Sequence, residues 1–427
     1  MDIQALYQLF RQHPSITTDS RNCLPGSIFF ALKGENFDGN KFALQALEQG
    51  CAYAVIDNPA YKANDRCIVT ENCLQTLQQL ANYHRSVLKT PVIAITGTNG
   101  KTTTKELTAT ALGCKYRVLY TQGNFNNHIG VPLTLLKLTE QHQMAIIEMG
   151  ANHPGEIRTL AGIAEPDYGV ITNVARAHLE GFGSFEGVIR TKSELYDFLR
   201  QNGKHVFVNR DNPYLYPRTA GMERTEYGTR PDASLFGQLT DCNPYLSFWF
   251  EHRGERFEVH THLIGNYNLE NALAAICIAT YFRVDGQAIA RAISAYTPQN
   301  RRSQLQKGER NTLIIDAYNA NPTSMEAAIS NFAQMEVAPK ALLLGDMREL
   351  GTESAAEHQK IVDLIGSFHF DRVYLAGSEF SAVAHGLPVF PDTDSLLDFL
   401  KAEPLSGYHI LIKGSNSMHM ERCIDLL

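Results

Sequence analysis

Short apolar runs alternate with stretches of helical spacing along most of the chain. In residues 1–88, SIFFAL and YAVI predict strands, while FALQALEQG and TLQQLANYHRSVLK place apolar residues three and four apart, as a helix face requires. From 89 to 297 the strand VIAIT (92–96) runs through a glycine-containing turn into the helical TTTKELTATALG. AIIEMG and YGVITNV follow as strands between helical stretches, the order of a parallel sheet covered by helices. Residues 225–264, including LSFWFEHRGERFEVHTHLIG, alternate apolar and polar positions and predict a small antiparallel insert. NLENALAAICIATYF and GQAIARAISAY then return to helical spacing. From 298 to 427 the pattern restarts: NTLIIDAYNANP, KALLLGDMRELG, DRVYLAGS and YHILIKGS are four strand-then-turn units, predicting a second α/β unit.

Length agrees with this division, since 427 residues at roughly 150 per domain give about three domains, with two or three cores expected. A composition that is 44% hydrophobic and 19% charged is that of a folded globular chain. Lys plus Arg number 38 against 45 Asp plus Glu, a net charge of −7, so no positive field offers itself to nucleic acid and any anion must be held by local groups. The eight cysteines, at 23, 51, 67, 73, 114, 242, 277 and 423, form no CxxC pair and read as reduced thiols. The N-terminal MDIQALYQLFRQHPSI lacks the features of a secretory signal, and no apolar run approaches about 18 residues. These features predict a cytoplasmic protein with no membrane insertion, and monomer is the default expectation.

The sharpest local signal is Ile95-Thr96-Gly97-Thr98-Asn99-Gly100-Lys101-Thr102-Thr103, set between a predicted strand and a predicted helix. Glycines let backbone N–H groups approach phosphate oxygens, the helix N-terminus adds positive potential, Lys101 suits the β and γ phosphates, and Thr102 suits Mg²⁺. The strict GxxxxGK(S/T) pattern is not met, because Ile95 stands where its first glycine belongs, so an ordinary polar turn is the competing reading. Glu148, ending the strand AIIEMG, is placed either to face a phosphate-bridging Mg²⁺ or simply to meet solvent. His178, in TNVARAHLEG, reads as a structural histidine or as a ligand beside the phosphate site. By spacing alone Lys192, in SFEGVIRTKSELYDFL, reads as a solvated helix lysine.

TGTNGKTTTKE, TQGNFNNHIGVPLTLL, EMGANHPGEI, ITNVARAHLEGFGS, GNYNLENALAA, DAYNANPTSM and LGDMRELG occur in an order that resembles the Mur ligase family, ATP-dependent amide ligases of peptidoglycan precursor synthesis. The resemblance implies an α/β fold of three domains: a small N-terminal domain (1–88) for the uridine-linked substrate, a central P-loop parallel-sheet ATPase domain (89–297) with the antiparallel insert, and a C-terminal Rossmann-like ligase domain (298–427). It implies ATP and two Mg²⁺ sites as cofactors, with Gly97, Thr98, Asn99, Gly100, Lys101, Thr102 and Thr103 as the phosphate loop. Asn271 matches the adenine contact, Arg302 the arginine near the phosphates, and Asp316 the ribose contact. Their bland alternatives are an amide satisfied within its helix, a surface arginine and a strand-end cap. Thr102, Glu148 and His178 match metal ligands. Lys192 matches the family's carbamylated lysine, which reverses its solvated reading, since a carbamate is an anionic oxygen ligand. Lys101, Lys192, His178 and Arg302 form the implied catalytic set.

Thr18-Asp19-Ser20-Arg21 and the stretch from Pro25 to Gly39 resemble the segment that receives the uridine diphosphate end, with Ser20 and Arg21 the best candidates and a plain turn the alternative. Asn124, Asn126 and Asn127 are expected along the peptide channel, and Asn319 and Asn321 flank a turn in which nucleotide contact and turn shaping are not separable by sequence. Two departures stand out: Asn40 where relatives carry His, and Asn416 where they carry Arg, with Arg422 as a possible substitute cation. HLEGFGS, DAYNANP and LGDMRELG imply UDP-N-acetylmuramoyl-tripeptide and D-alanyl-D-alanine as partners, joined through an acyl phosphate. The third residue of the tripeptide, lysine or diaminopimelate, is not legible. The rival readings are the ligase adding the third amino acid, a folylpolyglutamate synthase, or a nucleotide-binding module without ligation. Closure of the C-terminal domain, about a hinge near 297–302, is expected to assemble the site.

Overall fold

The computed structural model describes residues 2–299 and 302–427, so the expected hinge falls partly on residues, 300 and 301, that lie outside the described ones. Among the described residues the strands build sheets of four, nine and six strands and a two-stranded ribbon. In the first sheet Ile16–Thr17, Ile28–Phe30, Tyr53–Ile56 and Cys67–Val69 run parallel in that order. The helix Cys73–Leu88 follows, capped by the Asn72 side chain accepting from Gln75 N and ended by Lys89 in a left-handed conformation (φ 56°).

That helix packs in two directions. It buries Leu77, Leu80 and Ala81, and it meets both the first helix, Ile3–Gln12, and the central-block helices Gly130–Leu135 and Glu156–Ala164. Arg85 ties it further, donating from Nε to Ala164 O (3.0 Å) and from Nη2 to Asp167 (2.7 Å). One hydrophobic core therefore runs from Leu6 and Phe10 through Leu77 to Ile147, Ile171 and Leu199, so the N-terminal block shares its core with the central one rather than owning a separate core.

In the nine-stranded sheet Val92–Thr96 lies between Met144–Glu148 and Tyr168–Ile171, all parallel, and every residue of the first two is buried. Fully burying each Val or Ile stabilises the fold by roughly 1.5–3 kcal/mol, which fixes these three strands as the rigid base for the loops at their carboxyl ends. The alternating region is antiparallel only in part, and it continues the central sheet. Arg224–Gly228 adds in parallel to His205–Asn209 and Leu235–Cys242 adds in parallel to it, while Tyr245–His252 runs antiparallel to both Leu235–Cys242 and Glu255–Ile264. The reason is burial: inward-facing Phe248, Phe250, Val259 and Leu263 join the same core as Ile93, Ile95 and Val170, under the helix Asn268–Tyr281.

The C-terminal sheet orders its four predicted strands as Thr312–Asp316, His409–Lys413, Lys340–Gly345 and Arg372–Ala376, all parallel. Gln304–Lys307 adds an antiparallel edge and Val389–Phe390 a parallel one. Among the described residues no helix is long and apolar enough to cross a membrane.

Candidate active site

The turn after Val92–Thr96 is built by two glycines that no other residue replaces without a clash. Gly97 has φ 144° and a Cβ there would lie 2.0 Å from Thr172 Oγ1; Gly100 has φ 76° and a Cβ would lie 2.2 Å from Asn271 Oδ1. The segment after Tyr168–Ile171 holds the turn from the other side. Thr98 N donates to Asn173 O (2.9 Å), Asn99 N to Asn173 Oδ1 (2.9 Å), Ala175 N to Thr98 Oγ1 (3.0 Å), and Thr172 Oγ1 to Asn99 O (2.6 Å). The helix Lys101–Gly113 starts at this turn with no side-chain cap, so its N-terminal N–H groups are left for a ligand.

This loop forms one wall of a cavity of about 890 Å³. Thr98, Asn99, Gly100, Lys101, Thr103, Asn124, Asn126, Asn127, Glu148, His178 and Asn271 line it from the central block, and Arg302, Asp316, Asn319 and Asn321 line it from the C-terminal block. Most of the residues singled out by sequence thus meet in one place. Gly97, Thr102 and Lys192 do not reach the wall, and Ser20 and Arg21 lie elsewhere, in a second hollow of about 490 Å³ shared with Asp19, Phe37 and Gln45. There Arg21 is paired with Asp19 (2.9 Å), whose carboxyl it holds down to about 2.

Lys101 Nζ donates to Gly97 O and Thr98 O, each at 2.9 Å, folding back on its own loop. Burial pulls its ammonium down to about 8, against the raising effect of Glu148 and with a further lowering from Arg302. Glu148 Oε1 accepts from Thr102 Oγ1 (3.2 Å) and Asn126 Nδ2 (2.8 Å), while its Oε2 is buried without a hydrogen-bond partner, 3.8 Å from the Lys105 ammonium. A buried carboxylate oxygen left open beside a threonine hydroxyl is a place for a hard cation.

Lys192, far from being solvated, is buried; its Nζ donates to Ala151 O (3.1 Å) and lies 5.3 Å from the Phe182 ring centroid. Burial, reinforced by the nearby Lys101 charge, drives its pKa well below the usual lysine range. Asn271 spends Nδ2 on Asn268 Oδ1 (2.9 Å) in its own helix and accepts from Thr104 Oγ1 (3.2 Å), leaving one N–H and one lone pair. Arg302 stacks on Tyr318, guanidinium carbon 3.8 Å from the ring centroid.

The structure separates Asn319 from Asn321. Asn321 is the N-cap of the helix Pro322–Gln334 in a capping box with Ser324, and its Nδ2 donates to Asn99 Oδ1 (2.7 Å); Asn319 is exposed on the wall. Asn127 likewise shapes its turn, accepting from Ile129 N and Gly130 N. Asn40 is buried, bonding Asp38 (2.7 Å) and Asp57 (2.9 Å) and accepting from Asp57 N and Asn58 N, so at this departure an amide locks the loop. Asn416 and Arg422 are absent from the cavity wall, and Arg422 is engaged by Asp394 (2.6 Å). The cation that sequence reading missed is Lys413. It is 1% exposed, ends the strand His409–Lys413, and binds the Asp316 carboxylate and Asn319 O (3.2 Å). Its place at the carboxyl end of a strand was the available signal.

Residues 14–86 match the description Mur ligase family, catalytic domain; residues 95–279 match Mur ligase middle domain; residues 301–416 match Mur ligase, glutamate ligase domain. The UDP-N-acetylmuramoyl-tripeptide–D-alanyl-D-alanine ligase of Bacillus subtilis (strain 168) is 36% identical over 427 residues, covering 96% of this chain and 93% of its own. A crystal structure of MurF from Acinetobacter baumannii superposes with a TM-score of 0.88 at 30% identity, covering 98% and 97%. The MurF ligase of Thermotoga maritima in complex with ADP gives 0.85 at 26%, covering 96% of each chain.

Proposed function

The chain belongs to the Mur ligase family, and from that premise we propose that it uses ATP to join D-alanyl-D-alanine to UDP-N-acetylmuramoyl-tripeptide in cytoplasmic peptidoglycan precursor synthesis. The observation that carries this reading is the single cavity in which the phosphate loop of one sheet faces Arg302, Asp316 and Lys413 of another. Residues 1–88 receive the uridine-linked end through the hollow at Ser20 and Arg21, 89–297 hold ATP, and 298–427 close over ATP and the dipeptide. Near full-length similarity to the Bacillus subtilis enzyme favours this substrate pair over the third-amino-acid ligase or a folylpolyglutamate synthase.

The terminal carboxylate of the tripeptide attacks the γ-phosphorus of ATP, breaking the bond to the β-γ bridging oxygen and giving an acyl phosphate and ADP. The neutral amine of D-alanyl-D-alanine then adds to the acyl carbon, the bond from that carbon to the phosphate oxygen breaks, and phosphate leaves as the amide forms, the proton lost from the amine passing to phosphate or solvent. A carboxylate and a triphosphate repel each other, so cations must offset charge along the path of transfer. Lys101 exchanges its own loop carbonyls for phosphate oxygens, and Arg302, held flat on Tyr318, is poised across the cavity. Asn271 offers its remaining N–H and lone pair to adenine, and Asp316, fixed by Lys413 and by Ser303 N (3.2 Å), meets the ribose. Asn124 and Asn319 keep free amides for the peptide, and Asn126 orients Glu148.

The open, buried oxygen of Glu148 fits Mg²⁺, which Thr102, Glu148, His178 and carbamylated Lys192 would hold in two sites and which supplies neutralisation of phosphate charge. Burial favours the neutral amine of Lys192, and it is a neutral amine that adds to CO₂, giving a carbamate and releasing a proton. Phosphate release from ATP, measured with both substrates and with each omitted, tests the function. Turnover that needs both supports it; turnover with a single amino acid, or with glutamate and a folate, selects a rival.

A further inference from the structure

His178 and Glu349 stand on different sheets' loops and meet side chain to side chain, the Glu349 carboxylate lying against imidazole Nδ1. Both residues have left-handed backbones, φ 49° and 64°. Each such non-glycine conformation costs about 1–2 kcal/mol, so the surroundings must hold both turns. Two flanking contacts do so: Glu180 N donates to Glu349 O (3.4 Å), and Arg176 Nη1 lies 3.4 Å from Glu357 Oε1. Nδ1 is enclosed and, among the described residues, meets no hydrogen-bond partner, so the Glu349 carboxylate against it is the group that can serve it, while the side chain keeps 25% of its surface and lines the cavity. Glu349 itself is not part of the cavity wall.

We propose that Glu349 is a positioning residue for His178. Its carboxylate, lying against Nδ1, holds a proton on that nitrogen and turns Nε2 toward the cavity. The inference rests on the ligase reading of that cavity. Because the carboxylate arrives from the C-terminal block, the tautomer is set only where the two blocks touch. His178 is thus prepared as the site is assembled, and a C-terminal block that swings away releases the ring.

The test uses full-length protein labelled with ¹⁵N-histidine, the His178 signals being those lost in H178Q. Wild type is expected to show protonated Nδ1 and unprotonated Nε2 without any added ligand. E349A should move His178 to mainly Nε2–H, and E349Q, whose amide both donates and accepts, should give a mixture while preserving shape. In ligation assays E349A should lose about 10- to 100-fold in kcat with KM for ATP unchanged. An unaltered His178 tautomer in both variants overturns the inference whatever the activity, and so does a shifted tautomer with wild-type kcat. Failure of the wild type to turn over both substrates would instead count against the ligase reading, leaving the ring signals to decide the pairing by themselves.

Discussion

The side-chain amide of Asn321 donates to Asn99 Oδ1 at 2.7 Å, joining the start of the helix Pro322–Gln334 to the phosphate loop across 222 positions of sequence. The same side chain caps its helix by accepting from Ser324 N at 2.9 Å. N321S separates the two duties, because serine caps well but is too short to reach Asn99. It is expected to leave thermal stability nearly unchanged and to weaken ATP binding roughly 5- to 10-fold, about the worth of one hydrogen bond. N321A should lose about 1 kcal/mol of stability as well. Equal ATP affinity in N321S and wild type, by titration calorimetry, would remove the bond from the account of nucleotide binding.

Lys101 is a cation held where burial disfavours it, its pKa pulled down to about 8. K101M is therefore expected to abolish ATP binding and ligation while leaving the ligand-free protein as stable as wild type or more so. Thermal unfolding with and without ATP checks both halves: wild type should gain in Tm with ATP and K101M should not.

K192A should lose most activity and recover part of it with a short-chain carboxylic acid, which replaces the carbamate oxygen in the space the side chain vacates. Full activity in K192A would rule out the ligand role. Lack of rescue, with activity lost, would point to the packing of Lys192 on Phe182 instead.

His84 is buried between Tyr7 Oη (3.2 Å) and Leu138 O (2.9 Å), and burial lowers its pKa below the usual 6.5. Above the unfolded value both states are neutral and its packing contributes in full. As pH falls below about 6.5 the unfolded chain takes a proton that the folded one refuses, so stability declines, at most ~1.4 kcal/mol per pH unit from this group. H84Q should flatten the loss seen in urea unfolding between pH 7 and 5; an unchanged slope would assign it to other buried histidines such as His205.

Strands whose apolar runs are continuous, such as VIAIT and KALLLG, were legible because fully buried parallel strands leave that mark, and the structure puts them at Val92–Thr96 and Lys340–Gly345. The edge strand Gln304–Lys307 was not, since QLQK offers a single apolar residue, Leu305, which packs against the core once the strand pairs with Thr312–Asp316. Lys101 stands out by its glycine loop and Glu148 by its strand end, whereas Asp316 is singled out through the family resemblance, its position alone reading as a strand-end cap; the structure sets all three on the cavity wall. Lys413 sits at such an end too, but the family pattern marks position 416, three residues on, for a cation. The contacts Asn99–Asn321 and His178–Glu349 depend on how distant blocks approach each other, for which neither periodicity nor local motif carries a mark.

The core that Leu77 and Leu80 share with Ile147 and Ile171 has a consequence for how the protein can be cut. A fragment ending at residue 88 would take with it one side of the helix Cys73–Leu88 stripped of its partners, and the remainder would expose the complementary face of Gly130–Leu135 and Glu156–Ala164. Neither piece should stay in solution alone, whereas co-expressed pieces should re-associate. Grafting the N-terminal block of another Mur ligase onto this chain would succeed only if the helix travels with the faces it covers.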